Sequence, residues 1–299
     1  MAEIELFQAQ RPQMFAVAYR MLGSASDAED VVQDAWLRYA GARPADLRSP
    51  EAYLTTIVTR LCLDRLKSAR AMREEYVGPW LPEPVMTDLA PGPERSAALT
   101  ESVTLAFMVL LETLSPEERA VFLLREVFEY GYDEIASMLD TTAVNCRQLF
   151  HRAKERIAQG RPRFRETADD KRPLVDRFVN ALVEGNPDEL RNVLADDVGF
   201  WSDGGGKVAA ARRPVFGREA VATVLDGIRR TGTAAIPMDS ISVDIVDVNG
   251  EPAVVFRVGA HVNTVFTFTI ADGAIAAIRV LRNPDKLKFL ERQLTGGTA

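Results

Sequence analysis

YDEIASML at Tyr132–Leu139, DTT at Asp140–Thr142 and AVNCRQLFHRAKERI at Ala143–Ile157 have the lengths of a helix, a tight turn and a second helix. In the second helix Ala143, Cys146, Phe150, Ala153 and Ile157 recur at intervals of three and four, which predicts a buried stripe. The remaining surface offers Asn145, Arg147, Gln148, His151 and Arg152, with Thr142 placed to cap the helix. Asn, Gln and Arg near the start of such a helix suit a major groove, because their donors and acceptors match base edges; the later arginines suit phosphates. Asp140 and two threonines stand where the turn often has a glycine. A plain helical hairpin with a solvated basic face is the bland alternative.

Charge restricts where nucleic acid could be bound. The 299 residues carry a net charge of −7. Residues 1–170 hold 20 basic and 27 acidic side chains, whereas residues 171–299 hold 16 of each. A uniformly basic DNA-binding coat is thereby excluded, and any contact must be local. Two patches qualify. Arg147 to Glu166 has a net charge of +5, from Arg147, Arg152, Lys154, Arg156, Arg161, Arg163 and Arg165 against two glutamates. Arg60 to Arg73 has a net charge of +4, from Arg60, Arg65, Lys67, Arg70 and Arg73 against Asp64. Both can hold a phosphate backbone, while the acidic surroundings keep intrinsic affinity low.

Outward from the motif, residues 5–40 read as two helices joined at Gly23-Ser24-Ala25-Ser26. Ser26 with Glu29 three residues on has the capping-box pattern, so the second helix is expected to run from Asp27 to Ala40 and to begin strongly acidic. Gly41 to Ser49 reads as a loop. Ser49-Pro50-Glu51 opens a long helix to about Tyr76, with Leu54, Ile57, Val58, Leu61 and Leu66 on its apolar face and Arg60, Lys67 and Arg70 elsewhere. Pro79, Pro82, Pro84, Pro91 and Pro93 forbid regular helix and mark a linker. Helices are expected again from about Glu94, restarting at Ser115-Pro116-Glu117-Glu118.

Beyond Arg161-Pro162 the character changes. Leu174 to Leu194 reads as two short helices broken at Gly185-Asn186-Pro187, and Asn249-Gly250 and Asp272-Gly273 separate strand-like runs as hairpin turns. The expected architecture is multidomain: an all-α domain over 5–76, a linker over 77–93, a helix-turn-helix domain over 94–160, and an α+β domain over 171–299. MAEIELFQAQ has no basic cluster leading into an apolar run, and no later stretch approaches about 18 apolar residues. A soluble, cytoplasmic protein with no membrane partner is expected. Cys62 and Cys146 lie in apolar surroundings without metal spacing and read as reduced core residues. No metal or cofactor is implied, and His261, Asp239 and Trp201 supply no convincing acid–base pair for an enzyme.

Together these features resemble an extracytoplasmic-function sigma factor over about residues 5–160. FAVAYRMLGSASDAEDVVQDAWLRYA (Phe15 to Ala40) is similar to sigma region 2 at its polymerase-binding helix, and PEAYLTTIVTRLCLDRLKSAR (Pro50 to Arg70) to the part that engages the minus-ten element. Leu114 to Ile157 is similar to region 4, the minus-thirty-five reader. The remainder resembles the subgroup with a C-terminal domain like the SnoaL polyketide cyclases, an α+β cone. Three short motifs carry that resemblance: Trp80-Leu81-Pro82-Glu83-Pro84, Asp203-Gly204-Gly205-Gly206-Lys207 and Asn283-Pro284-Asp285-Lys286-Leu287.

The resemblance implies that Asp27, Glu29, Asp30, Gln33 and Asp34 dock on the clamp helices of the polymerase β′ subunit, and that the β subunit is a further partner. It also implies that the Gly41 to Ser49 loop captures an unstacked minus-ten base while Arg60, Lys67 and Arg70 hold the strand, and that the minus-thirty-five element is read by the helix-turn-helix. Finally, it implies control in cis by the C-terminal domain through the three motifs, with no separate anti-sigma factor required. The competing expectation is a polymerase-independent helix-turn-helix regulator with a ligand-sensing SnoaL-like domain.

Overall fold

The computed structural model describes residues 2–42, 49–86, 102–160, 168–234 and 240–296. Most of the Gly41 to Ser49 loop, the resumption of helix near Glu94, Pro91, Pro93, Asp239, residues 161–165 and the side chain of Arg70 lie outside the described residues. The chain forms two compact units, Met1–Glu75 with Asp88–Arg161, and Tyr76–Thr87 with Pro162–Ala299. The proline-rich segment read as a linker is therefore divided. Its described part, through Met86, is built into the C-terminal unit.

In the first unit, α1 (Ala2–Leu22), α2 (Ala25–Ala42) and α3 (Pro50–Glu74) pack around Met14, Tyr19, Val31, Leu54, Val58 and Cys62, all buried. Gly23, at φ +69°, lets the chain leave α1. The cap of α2 is Ser24 rather than Ser26: its Oγ accepts the Asp27 amide at 3.1 Å. Either serine fits the local pattern, but only Ser24 lies outside the first turn, which starts two residues earlier than expected. α3 stops at Glu74, short of Tyr76. Ser49 Oγ accepts the Ala52 amide at 3.2 Å and starts it.

Then come α4 (Leu105–Leu111), α5 (Pro116–Phe122), a π-helical turn at Leu123–Val127, α6 (Tyr132–Leu139) and α7 (Ala143–Gly160). Ser115 and Glu118 close the capping box expected from the sequence, each bonding the other's amide at 3.0–3.2 Å. Both cysteines are free and buried. Burial pushes both thiols up in pKa, which keeps them inert.

The α3 helix also packs against the second helical group. Arg60 Nε donates to the Met138 carbonyl at 2.8 Å and its Nη2 to Ser137 at 3.3 Å, capping the C-terminal end of α6. Thr55 Oγ1 and Tyr130 OH are 3.0 Å apart, and Arg20 donates to Ser102 Oγ at 2.8 Å. Arg119, 2% exposed, donates twice to the Leu111 carbonyl, once to Met21 O at 2.7 Å and once to Glu112 at 2.8 Å. One guanidinium thus satisfies the ends of two helices from different parts of the unit. Tyr130→Phe should cost about 1 kcal/mol in chemical denaturation, the usual net worth of the hydroxyl's bonds.

The second unit opens with α8 (Ala168–Glu184) and α9 (Pro187–Val193), broken at Gly185 as the sequence predicts. Strands β1 (Leu194–Asp203), β2 (Val215–Phe216), β3 (Ile241–Val248), β4 (Glu251–Val258), β5 (His261–Ala271) and β6 (Ala274–Leu281) form one mixed sheet, ordered β2-β1-β6-β5-β4-β3. Among the described strands only the β1–β6 pair is parallel. Asn249 and Gly250, and likewise Asp272 and Gly273, all have positive φ, as two-residue hairpin turns require. α10 (Arg218–Ala234) joins α8 and α9 over a core of Phe178, Phe200, Val254, Phe266, Phe268 and Ile278. α11 (Pro284–Leu294) closes the chain along β5, where Glu291 accepts the Val262 amide at 2.8 Å.

Candidate nucleic-acid interface and linker clasp

The turn of the helix-turn-helix solves its missing glycine directly: Asp140 itself adopts the left-handed conformation, φ 52° and ψ 53°. Asp tolerates this region better than most side chains. Thr142 Oγ1 accepts the Asn145 amide at 3.1 Å, as its position predicts, and the Asn145 side chain donates to Thr141 Oγ1 at 3.0 Å. Asn145 therefore helps to hold the turn. Arg147, Gln148, His151 and Arg152 are exposed on one side of α7. Arg147 lies over the Tyr132 ring, 5.2 Å from its centroid, and Arg152 leans to the buried Glu118 at 3.5 Å. The buried stripe differs slightly from expectation. Leu149 is buried with Cys146, Ala153 and Ile157, while Ala143 and Phe150 are half-buried.

On α2, Asp27, Asp30 and Gln33 are exposed, while Glu29 and Asp34 are half-buried. Arg65 of α3 bonds Asp34 at 3.1 Å and lies within 3.7 Å of Asp27 and Asp30. The acidic surface is thus partly neutralised from below and held in one geometry. Leu37, 68% exposed, follows one turn after Gln33 and extends the same face. Its place at i+4 on an otherwise polar face is legible in the sequence. Lys67 is exposed, whereas Arg60 is occupied at α6.

The three short motifs converge within the C-terminal unit. Asp203, at the end of β1 and fully buried, is their centre. Its Oδ1 accepts from Tyr76 OH at 2.5 Å and from the Gly205 amide at 3.1 Å; its Oδ2 accepts from the Leu81 amide at 2.9 Å and from Lys286 Nζ at 2.7 Å. Lys286 also donates to the Leu81 carbonyl at 2.5 Å and sits between two rings, 4.1 Å from the Trp80 centroid and 4.8 Å from that of Tyr76. The buried ammonium is therefore compensated by a carboxylate, a carbonyl and two aromatic faces. Burial and the hydrogen bond to Asp203 raise the Tyr76 pKa above its ordinary value, so the phenol stays protonated and donating.

Asn283 caps α11 through the Asp285 amide and donates to Tyr76 OH at 2.9 Å. Lys207 and Asp285 form an exposed ion pair at the rim, and this contact with that of Lys288 lowers the Asp285 pKa. The glycines have steric reasons to be there. A Cβ on Gly205, at φ +59°, would fall 2.2 Å from Asn283 Nδ2, and one on Gly204 2.6 Å from the Val208 carbonyl. Gly206, at φ +70°, has Val77 against it. Gly205→Ala should cost more than the ~1 kcal/mol of a positive-φ alanine alone, measurable as a lower melting temperature.

Residues 81–86 run on to the β3–β4 turn. Leu81, Pro82, Glu83, Pro84 and Val85 are buried, and Pro284 is exposed where α11 starts, with Leu287 buried behind it. Val85 exchanges bonds with Asn249, its carbonyl accepting the Asn249 amide at 2.8 Å and its amide reaching Asn249 Oδ1 at 3.1 Å. Met86 bridges Val248 and donates to Gln293 at 2.8 Å. Tyr76 and Gln293 were not singled out by the sequence motifs, and Asn249 only as a hairpin turn, because their partners lie more than 100 residues away.

His261 is exposed and paired with Glu291 at 2.9 Å, while Trp201 lies between Phe216 and Arg279. Among the described residues there is no cluster able to hold a metal, and no helix long and apolar enough to cross a membrane.

Residues 6–72 match sigma-70 region 2, and residues 104–157 match sigma-70 region 4. The chain is 35% identical to the ECF RNA polymerase sigma factor SigJ of Mycobacterium tuberculosis, over 98% of this chain and 97% of that one. It belongs to the extracytoplasmic-function sigma factors. A probable ECF sigma factor of the same organism, SigI, is 31% identical over 97% of both chains. The crystal structure of M. tuberculosis SigJ superposes with a TM-score of 0.73 at 32% identity, covering 96% of this chain and 98% of that one. In this sigma factor α1–α3 are region 2, α4–α7 are region 4 with its helix-turn-helix, and an α+β unit with a six-stranded mixed sheet follows. As a sigma factor it binds core RNA polymerase and directs it to promoters. A polymerase-independent regulator is thereby set aside.

Proposed function

We infer that the C-terminal unit controls this sigma factor in cis by gripping the chain that joins regions 2 and 4, with no separate anti-sigma factor required. One observation carries the reading: residues 76–86, which lie in sequence between the two sigma regions, fold into the C-terminal unit through Asp203, Lys286 and Asn249. Eleven extended residues span at most about 36–40 Å. While the clasp holds, that reach is withheld from the connector, and the separation available to regions 2 and 4 is limited accordingly.

Contacts inside the first unit act in the same direction. Arg60 is engaged at the end of α6, and Tyr130 at Thr55, so region 2 lies against region 4. In the engaged state Arg60 exchanges two carbonyls for promoter phosphates, joined by Lys67 and Arg70, and the Gly41 to Ser49 loop takes the unstacked minus-ten base. Asp27, Glu29, Asp30, Gln33 and Asp34, with Leu37 beside them, dock on the β′ clamp helices; region 4 meets the β subunit. Since polymerase supplies much of the binding energy, an acidic protein can use two local basic patches.

At the minus-thirty-five element Arg147 and Gln148 reach base edges, Thr142 and Asn145 set the turn, and His151 and Arg152 face the backbone. Arg147→Ala and Gln148→Ala should each cost about 1–3 kcal/mol of discrimination at one base position, seen by footprinting holoenzyme on point-mutated promoters. Run-off transcription with core polymerase, comparing the full chain with a truncation after Arg165, tests the regulation. Output should change on truncation, and equal output from both would end this reading.

A further inference from the structure

A cleft of about 270 Å³ opens in the C-terminal unit between the α8–α9 elbow and α10. No strand residue lines it, so it is separate from the sheet interior, which Phe178, Phe200, Phe266 and Phe268 fill. Its floor is apolar, formed by Ala181, Leu182, Leu190 and Ala222 of the core cluster. Around its rim the lining carries three guanidinium groups, Arg191, Arg229 and Arg230, against one carboxylate, Asp226. Arg191 is drawn outward to Glu219 at 2.9 Å and Asp188 at 3.2 Å. Asp226 is shared by Arg229 at 3.0 Å and Arg230 at 2.6 Å, which fixes both guanidiniums side by side.

The elbow is shaped to admit one of these groups. Gly185 has φ +70°, and a Cβ there would lie 2.9 Å from the Arg229 Cζ. Glycine thus provides both the left-handed turn between α8 and α9 and the space in which the guanidinium rests on backbone. The arginine is laid in place before any ligand arrives, which lowers the ordering cost of binding.

We propose that this cleft binds a small organic monoanion with an apolar body, such as a medium-chain carboxylate. Its head pairs with Arg229 and Arg230, as planar guanidinium forks match a carboxylate bidentately. Its chain covers the alanine and leucine floor, where burial of apolar surface adds to the charge pairing. The volume lies just under the ~300 Å³ at which small-molecule pockets begin, so the ligand is small. An inorganic anion gains nothing from the floor, and a neutral amide nothing from the arginine pair.

Calorimetric titration of the full chain with octanoate tests this, with inorganic phosphate and octanamide as charge-only and chain-only probes. Octanoate should bind saturably at one site, at least tenfold more tightly than either control. Arg229→Gln and Arg230→Gln should each weaken it by about tenfold, one charge-assisted contact's worth. Thr223→Phe fills the cleft from its exposed rim without touching the core and should abolish binding in a protein that melts like the parent. Absence of saturable octanoate binding, phosphate or octanamide binding as tightly, or undiminished binding by the Thr223→Phe variant would each overturn the proposal.

Discussion

Asp203→Ala should destabilise the C-terminal unit by about 3–5 kcal/mol, the cost of leaving a buried charge without its partner. The substitution takes the compensating carboxylate away from the Lys286 ammonium, whose side chain is 9% exposed and lies between Trp80 and Tyr76. It also removes the acceptor of the Leu81 amide and of the Tyr76 hydroxyl. Residues 76–86 should then become the first site of limited proteolysis. A double-mutant cycle with Lys286→Met separates the pair from its surroundings: the double variant should be less destabilised than the sum of the singles, because removing both charges leaves neither buried alone. The exposed Lys207–Asp285 pair is the internal control, since Lys207→Ala should cost below ~1 kcal/mol. Urea denaturation of the parent and the four variants checks the ranking, and equal costs for Asp203→Ala and Lys207→Ala would remove Asp203 from the centre of the clasp.

The second large effect belongs to Arg119. Arg119→Met should cost the first unit about 3–5 kcal/mol, because four hydrogen bonds from one buried guanidinium to the Leu111 and Met21 carbonyls and to Glu112 disappear. Methionine keeps the apolar stem, so the loss isolates the head group. Arg119→Lys should recover little, as a point donor cannot reach Leu111, Met21 and Glu112 together. Denaturation followed by far-ultraviolet circular dichroism measures this directly; a loss below 1 kcal/mol would show that these carbonyls find other partners.

Much of the helix-turn-helix was legible from local signals. Three- and four-residue spacing, the Thr142 cap and the Ser115–Glu118 box depend on neighbours within one turn, and such signals survive into the fold. The Asn249-Gly250 and Asp272-Gly273 turns were legible for the same reason. Where two local solutions compete, as with Ser24 and Ser26, periodicity alone does not choose the first turn. Arg60 and Arg119 were not legible as connectors: their carbonyl partners Met138 and Met21 lie 78 and 98 residues away. A basic side chain on a helix then reads as surface.

The proline-rich segment shows the same limit from the other side. Pro79, Pro82 and Pro84 stand in a stretch without helix, as their number suggests, but a chain without regular structure can still be buried when amides such as Leu81 and Val85 find distant acceptors. Resemblance pointed to the three motifs. Steric fit of Gly205 against Asn283, and the four bonds to one carboxylate, supply the physical reason they occur together.

If the clasp governs access of regions 2 and 4 to the promoter, a point change in it should act on transcription as removal of the whole unit does. The direct measurement is run-off transcription with core polymerase from a cognate promoter, comparing the full chain, Lys286→Met and the truncation after Arg165 at equal folded concentration. The account predicts that Lys286→Met shifts output in the same direction as truncation, with proteolysis showing residues 76–86 released. Parental output from a Lys286→Met chain whose connector is demonstrably free would contradict it.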